Sequence, residues 1–182
     1  MILKKATILI IAISFLAGFG MCRRAACAEN ATLTNAGIES SLKAYEEPGY
    51  KFLEKIDEGM WKALYSRPGW KFGWEVVVAS TSEKPGESFV VIGTTVLTAE
   101  KLPPALMMQL LTENSLDTNP GNYAVFFEND AYFIQYAVKI PQSLLTSDVL
   151  MEGIGFVAGY ANSRLKELEK HLPPASSAPD KQ

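Results

Sequence analysis

The sequence predicts an α+β domain in which helices pack on an antiparallel β-sheet. Three observations support this fold class: short segments rich in aromatic and β-branched residues, apolar residues at helical spacing near both ends, and turn residues between them. No residue pattern repeats at a fixed period, which argues against a solenoid. Without the first 28 residues, 154 of the 182 remain, and this length fits one domain with its own core.

Residues 1–28 have the layout of a signal peptide. Lys4 and Lys5 precede an apolar run, residues 8–20, that is shorter than the roughly 20 residues of a membrane-crossing helix. Ala26 and Ala28 fit an A-x-A cleavage pattern, so the mature chain would begin at the next residue. We therefore expect an exported protein, periplasmic or secreted.

Two alternatives to cleavage stay open. Arg23 and Arg24 follow the apolar run, where positive charge opposes translocation, so residues 6–22 would form an inner-membrane anchor in a retained leader. A lipoprotein would carry its lipid on Cys22, although Met21 stands where such sites have a small residue. Cleavage at Ala28 would remove both cysteines of the chain.

Cleavage also changes the charge balance. It removes four of the 17 basic residues and none of the 20 acidic ones, so the mature net charge is about −7 with His171 neutral. Nucleic-acid binding needs a basic surface that replaces counterions, and anionic membrane surfaces also attract basic residues. We therefore expect no nucleic-acid partner, and membrane contact only through a retained leader.

The first elements follow from residues 29 to 65. Residues 29–37 are polar and small, which predicts a flexible lead-in. Apolar residues at helical spacing from Ile38 to Tyr45 predict a short helix that Pro48 stops. Residues 50–65 combine a helical spacing with a turn-like Asp-Glu-Gly triplet, and we favour a β-hairpin because both arms are short and aromatic.

Two strands and a helix come next. Residues 74–80 and 88–97 are rich in β-branched residues, and the second segment is apolar on both faces, which predicts a strand inside the sheet. Pro103 and Pro104 fit the first turn of a helix. Four residues of this helix are predicted to form one apolar stripe: Leu106, Met107, Leu110 and Leu111.

A second hairpin and a long helix complete the domain. Asn129 and Asp130, which tolerate left-handed backbone, join residues 123–128 to residues 131–140. Five residues of the second arm are predicted to face the core: Tyr132, Ile134, Tyr136, Val138 and Ile140. Ser147 is predicted to cap the long helix. Its core stripe is Leu150, Ile154, Val157, Ala161, Leu165 and Leu168. Residues 172–182 form a Pro/Ser/Ala tail that we expect to be disordered.

The sequence contains no specific pattern for catalysis, metal or cofactor binding. Residues 40–43 match S-x-x-K without its companion motifs, and residues 117–128 resemble a calcium loop whose glycine is displaced. His171 is the only histidine, which excludes a two-histidine metal site. We therefore expect no catalytic residue, no cofactor and no metal. A hydrolase that brings two distant carboxylates together stays the alternative.

Two stretches are candidates for an interface with a protein or peptide. The first packs five aromatic residues into a short segment, either as core or as a ligand groove: Trp61, Tyr65, Trp70, Phe72 and Trp74. The second opens the last helix, where each glycine costs about 1 kcal/mol relative to alanine and close packing must offset it. Another element or a partner would cover the residues on its second side: Gly155, Phe156, Gly159 and Tyr160.

The order of these elements resembles a known family. The resembling segments are GYKFLEKIDEGMWKALY, WEVVVAS, FVVIGTTV, LPPALMMQLLTEN, YAVFFENDAYFIQYAVKIP and the helix after SLLTSD. Over residues 38–171, their order and spacing are similar to those of YbjN-like domains, which share the type III secretion chaperone-like fold. The resemblance implies a frequently dimeric α+β sandwich that holds protein segments without catalysis, and it supplies no catalytic residues. Chaperones of this fold work in the cytosol, whereas this chain has an export signal.

These observations predict an exported, non-catalytic, chaperone-like domain that holds protein or peptide segments and forms a homodimer. The alternatives are a small envelope hydrolase with paired carboxylates and a membrane-tethered structural protein that retains its leader. No nucleotide-binding signature is present in the sequence.

Overall fold

The computed structural model describes residues 32–84, 87–116 and 119–172. These residues form an α+β fold with three α-helices and a six-stranded antiparallel sheet, which confirms the predicted fold class. The predicted leader, residues 1–28, lies outside the described residues, as do all but the first residue of the tail, 172–182.

The strands fall between the three helices, four after the first helix and two after the second. In chain order they are α1 (Asn35–Ala44), β1 (Tyr50–Asp57), β2 (Met60–Tyr65), β3 (Trp74–Lys84), β4 (Glu87–Ala99), α2 (Pro104–Ser115), β5 (Asn122–Glu128), β6 (Ala131–Pro141), a 3-10 turn (Gln142–Leu144) and α3 (Ser147–Glu169).

The strand order in space is β1-β2-β3-β4-β6-β5, and all neighbours are antiparallel. β4 lies inside the sheet, as the sequence predicts. Because β4 pairs with β6, the chain passes over β6 through α2, and β5 becomes an outer strand. The two edges of the sheet are therefore β1 and β5.

Both predicted hairpins are present. Gly59 closes the β1–β2 hairpin with a φ of 74°, a left-handed conformation that glycine adopts without steric cost. Asn129 and Asp130 close the β5–β6 hairpin with φ values of 50° and 59°. These two short polar residues are among the few that tolerate such angles.

The core lies between one face of the sheet and helix α3. Alternate residues of β2, β3, β4 and β6 are buried on this face, including Ile134 and Tyr136 from the predicted set. Two glycines let α3 approach the sheet closely. A Cβ at Gly153 would stand 2.6 Å from Ile92 Cδ1, and one at Gly155 would stand 3.3 Å from the Tyr65 hydroxyl. Close packing therefore offsets part of the helix cost of these glycines.

Three details differ from the sequence prediction. Helix α1 begins at Asn35, inside the predicted lead-in, because the Thr34 side chain accepts a hydrogen bond from Gly37 N. Thr146 rather than Ser147 caps α3, since its hydroxyl accepts from Val149 N. Of the predicted α2 stripe, Leu106 and Leu110 are buried, whereas Met107 and Leu111 are exposed. None of the described helices combines the length and apolar character needed to cross a membrane.

Candidate functional site

The aromatic stretch between Trp61 and Trp74 is mainly core. Trp61 is 1% exposed and donates from Nε1 to Glu39 of α1, and Tyr65 and Trp74 are also buried. The more accessible members are Trp70, which is half-buried beside Tyr65, and Phe72, which is 43% exposed. Strand alternation explains the burial, because these rings point to the face that the helices cover. Their role as an interface stays a prediction.

The glycine-rich start of α3 is covered on more than one side. Gly155 packs on Tyr65, while Phe156 and Tyr160 are half-buried against Tyr136 of β6. Tyr136 and Tyr160 stack with ring centroids 4.0 Å apart. Apart from its chain neighbours and its own helix backbone, no described atom lies within 4 Å of the Cβ position of Gly159. Helix α1 also contacts α3.

The exposed apolar side chains concentrate elsewhere, on β5 and α2. Of the ten large hydrophobic residues that are exposed among the described residues, seven belong to α2, β5 or the start of their connection. They are Met107, Met108, Leu111, Leu116, Val125, Phe126 and Phe127. Isolated exposed hydrophobic residues are normal on proteins, but a contiguous group marks an interaction surface. Sequence reasoning did not predict this group.

The backbone of β5 shows why this edge is open. The Asn114 side chain accepts a hydrogen bond from Tyr123 N at 2.6 Å and donates one to Tyr123 O at 2.9 Å. Both backbone groups of Tyr123 therefore point away from β6. In an antiparallel pair, the backbone groups of successive residues point alternately toward the paired strand and away from it. The N–H and C=O groups of Val125 and Phe127 therefore also point outward. Among the described residues, no hydrogen bond reaches those outward groups.

Helix α2 lies beside this edge. The side chain of Asn114, in its last turn, is hydrogen-bonded to Tyr123 of β5, and the helix and the strand are in contact. Residues at i, i+4 and i+7 share one side of a helix, so Met107 and Leu111 face the same way as Asn114. We call the outward groups of β5, together with Met107, Leu111, Val125, Phe126 and Phe127, the β5 edge site.

A cavity of about 410 Å³ lies at the end of α2. It is lined by residues of α2, α3 and the connection before β5: Glu113, Leu116, Asn119, Pro120, Tyr160 and Arg164. The carboxylate of Glu113 is the centre of the network. It accepts hydrogen bonds from Arg164, from Gln109 Nε2 at 3.0 Å and from the Tyr160 hydroxyl at 3.3 Å.

Three tyrosine side chains, Tyr123, Tyr136 and Tyr160, pack together beside this network. The Tyr136 hydroxyl donates to Asn119 Oδ1 at 2.8 Å. The buried Tyr123 hydroxyl lies close to Tyr160 and Arg164, but neither contact has hydrogen-bond geometry. Burial raises the pKa of Tyr123, Tyr136 and Tyr160, so these hydroxyls stay protonated at neutral pH.

The charged groups that line the cavity are paired with one another. Glu113 forms an ion pair with Arg164, and burial raises the pKa of the neighbouring Tyr160 hydroxyl. In the parts of the chain that the structure describes, His, Cys, Asp and Glu form no group of three that could hold a metal ion. The network instead fastens α2 to α3 and so positions α2 beside β5.

Comparison with known proteins adds no relative. A scan of the chain against protein-family models finds no match, and a search of curated proteins finds no similar sequence.

Proposed function

We propose that this protein is a non-catalytic, chaperone-like binding domain that holds extended protein segments at the β5 edge site. One observation carries the proposal: no described residue bonds the outward N–H and C=O groups of Val125 and Phe127, and these groups lie among exposed apolar side chains of β5. An added strand satisfies such groups through main-chain hydrogen bonds, while alternate side chains supply specificity. Export and kinship with YbjN-like domains stay part of this proposal.

The surroundings of the edge favour a particular kind of segment. Met107 and Leu111 are exposed on the same side of α2 as Asn114, and methionine adapts to varied apolar partners. Phe126 lies on the opposite, helix-free side, because it pairs with Phe133 and not with the core-facing residues of β6. A bound segment would therefore be extended, with apolar residues at alternate positions, and short because Asn114 blocks the edge at Tyr123.

The test uses two fluorescent heptapeptides, one alternating threonine and valine and one with proline at its centre. We expect the alternating peptide to bind in fluorescence anisotropy and the proline peptide to bind at least about tenfold more weakly, a difference of about 1.4 kcal/mol. Proline removes a main-chain donor and so distinguishes strand addition from general apolar contact. Equal binding of both peptides would contradict strand addition.

A protein variant provides the matching control. Val125→Pro removes an outward N–H group without touching the β5–β6 ladder, because proline is tolerated where its nitrogen faces away from the sheet. It should abolish binding of the alternating peptide. Ile56→Ala removes an exposed apolar side chain on β1, at the opposite edge of the sheet, and should leave binding unchanged. A loss of binding in both variants would point to general apolar attachment.

A further inference from the structure

We propose that the loop between β2 and β3, residues 66–73, forms a second binding site with helix α3, and that this site takes acidic peptide segments with an apolar residue beside the acid. The inference goes beyond the proposed function, because β4 and β6 separate β3 from β5 and the site recognises side chains instead of a strand edge. It rests on two accessible rings, on cations without a described partner and on a glycine of α3.

Two aromatic side chains of the loop are accessible. The Trp70 ring is half-buried, with its centroid 6.0 Å from that of Tyr65. Phe72 is 43% exposed, and its ring centroid lies 5.2 Å from that of Trp74. Tyr65 and Trp74 are buried and face each other on neighbouring strands, so they form a fixed base for the two loop rings. Rings held in this way supply contact area at a low cost in conformational entropy.

Gly159 leaves open space on α3 between the points where the helix contacts those two buried residues. One turn before it, Gly155 packs on the Tyr65 hydroxyl, and three residues after it, Asn162 accepts a hydrogen bond from Trp74 Nε1 at 3.5 Å. Residues at these spacings share one side of a helix. Glycine is less favourable than alanine inside a helix, and no packing among the described residues offsets this cost at Gly159. The open space therefore suits an apolar side chain of a ligand.

The loop side chains that lack a polar partner are all hydrogen-bond donors. Arg67 Nε donates to the Tyr65 hydroxyl at 3.1 Å, and the guanidinium carbon lies 5.5 Å from the centroid of the Tyr65 ring. This contact fixes the guanidinium but leaves its terminal nitrogens available. No described acid pairs with Arg67 or Lys71, and no described residue accepts from the Trp70 indole N–H.

This chemistry favours an acidic peptide. Donors without acceptors need a ligand that supplies acceptors, and a guanidinium binds a carboxylate through two parallel hydrogen bonds. Glu152, one turn before Gly155, would repel an acid on that part of α3. The acid of the segment therefore belongs at Arg67 and Lys71, and its apolar neighbour belongs over Gly159.

A lipid surface fits these observations less well. Insertion into a bilayer buries apolar side chains among the headgroups. Trp70 and Phe72 instead lie against the buried rings of Tyr65 and Trp74, which frame the open space at Gly159. Such an arrangement receives a side chain better than it enters a membrane.

The test uses the full chain and two fluorescent pentapeptides, one with aspartate on both sides of a central phenylalanine and one with asparagine in place of both aspartates. We expect the aspartate peptide to bind at least about tenfold more tightly in fluorescence anisotropy, and Arg67→Met to remove this difference. Lys101→Gln removes an exposed cation before α2 and should leave the difference unchanged. Equal binding of the two peptides by the unsubstituted chain would overturn the inference.

Substitutions of Gly159 test the open space and report on the fold at the same time. Gly159→Ala should raise the urea midpoint, because alanine favours the helix and its Cβ meets no described atom beyond the helix itself. Gly159→Leu should fill the space and weaken binding of the aspartate peptide at least about tenfold, with an unchanged circular dichroism spectrum. A folded Gly159→Leu variant that binds like the unsubstituted chain would overturn the inference.

Two further measurements separate this site from the β5 edge site and from a lipid surface. Val125→Pro should leave binding of the aspartate peptide unchanged, and Arg67→Met should leave binding of the alternating heptapeptide unchanged. Loss of aspartate-peptide binding in Val125→Pro would overturn a second site. Vesicles of phosphatidylglycerol and phosphatidylcholine in equal parts should not bind the protein in a flotation assay. Vesicle binding that Arg67→Met removes would overturn the assignment to a peptide.

Discussion

The two edges of the sheet are built in opposite ways. β1 is irregular, with register shifts against β2 between Phe52 and Glu54 and between Lys55 and Asp57. Four of its eight residues are charged, and Lys55 pairs with Glu58 at 2.8 Å. β5 pairs with β6 without any register shift and carries no charge before its last residue.

Natural proteins protect exposed edge strands with bulges and charged residues, because an unprotected edge pairs with other chains. β1 has both kinds of protection, and α1 adds a further contact through the Tyr50 hydroxyl, which donates to Leu42 O at 2.8 Å. On β5, the only such protection from the described residues is the Asn114 side chain, which covers one residue at the start of the strand. This difference is the basis for proposing that β5, and not β1, pairs with another segment.

The largest expected effect is a difference in the free energy of unfolding between substitutions of aromatic residues in the core and at the β5 edge. Trp61→Ala removes a fully buried ring and should lower the free energy of unfolding by about 3–5 kcal/mol. Phe127→Ala removes a ring that is 62% exposed and should change it by less than about 1 kcal/mol. Urea denaturation of each variant at a concentration where the protein is monomeric measures both values. A comparable loss at Phe127 would show that β5 is fixed by its own side chains.

A smaller effect is expected for the one protective contact of β5. Asn114→Ala leaves the N–H and C=O groups of Tyr123 without partners and should cost about 1–3 kcal/mol in urea denaturation. The control is Asn162→Ala, which removes a single long contact of 3.5 Å with Trp74 Nε1 and should cost less. If Asn162→Ala lowers the free energy of unfolding more than Asn114→Ala does, Asn114 does not hold α2 against β5.

The strands and helices could be predicted from the sequence because their signals are local. Gly59 marks the first hairpin, Asn129 and Asp130 mark the second, and the spacing of three and four residues marks α3. Five of the six residues predicted for the α3 core stripe are buried, and Leu165 is half-buried. These elements depend on backbone preferences and on the period of the apolar residues. Both can be read from neighbouring residues in the sequence.

The β5 edge site could not be predicted because it depends on the order of strands in space. Val125, Phe126 and Phe127 are apolar on both faces of β5, a pattern typical of a strand inside a sheet. β5 becomes an edge only because β6 pairs with β4. For the same reason, α2 buries Leu106 and Leu110 but leaves Met107 and Leu111 exposed, since no further strand lies beneath that side.

Amide hydrogen exchange measured with and without the alternating heptapeptide tests the central claim most directly. In the free monomer, the amides of Val125 and Phe127 should exchange fast, whereas those of Ala124 and Phe126 should be protected by β6. The peptide should slow exchange at Val125 and Phe127 and change nothing on β1. Outward amides that are already protected in the monomer, or protection that appears on β1 instead, would contradict an open β5 edge.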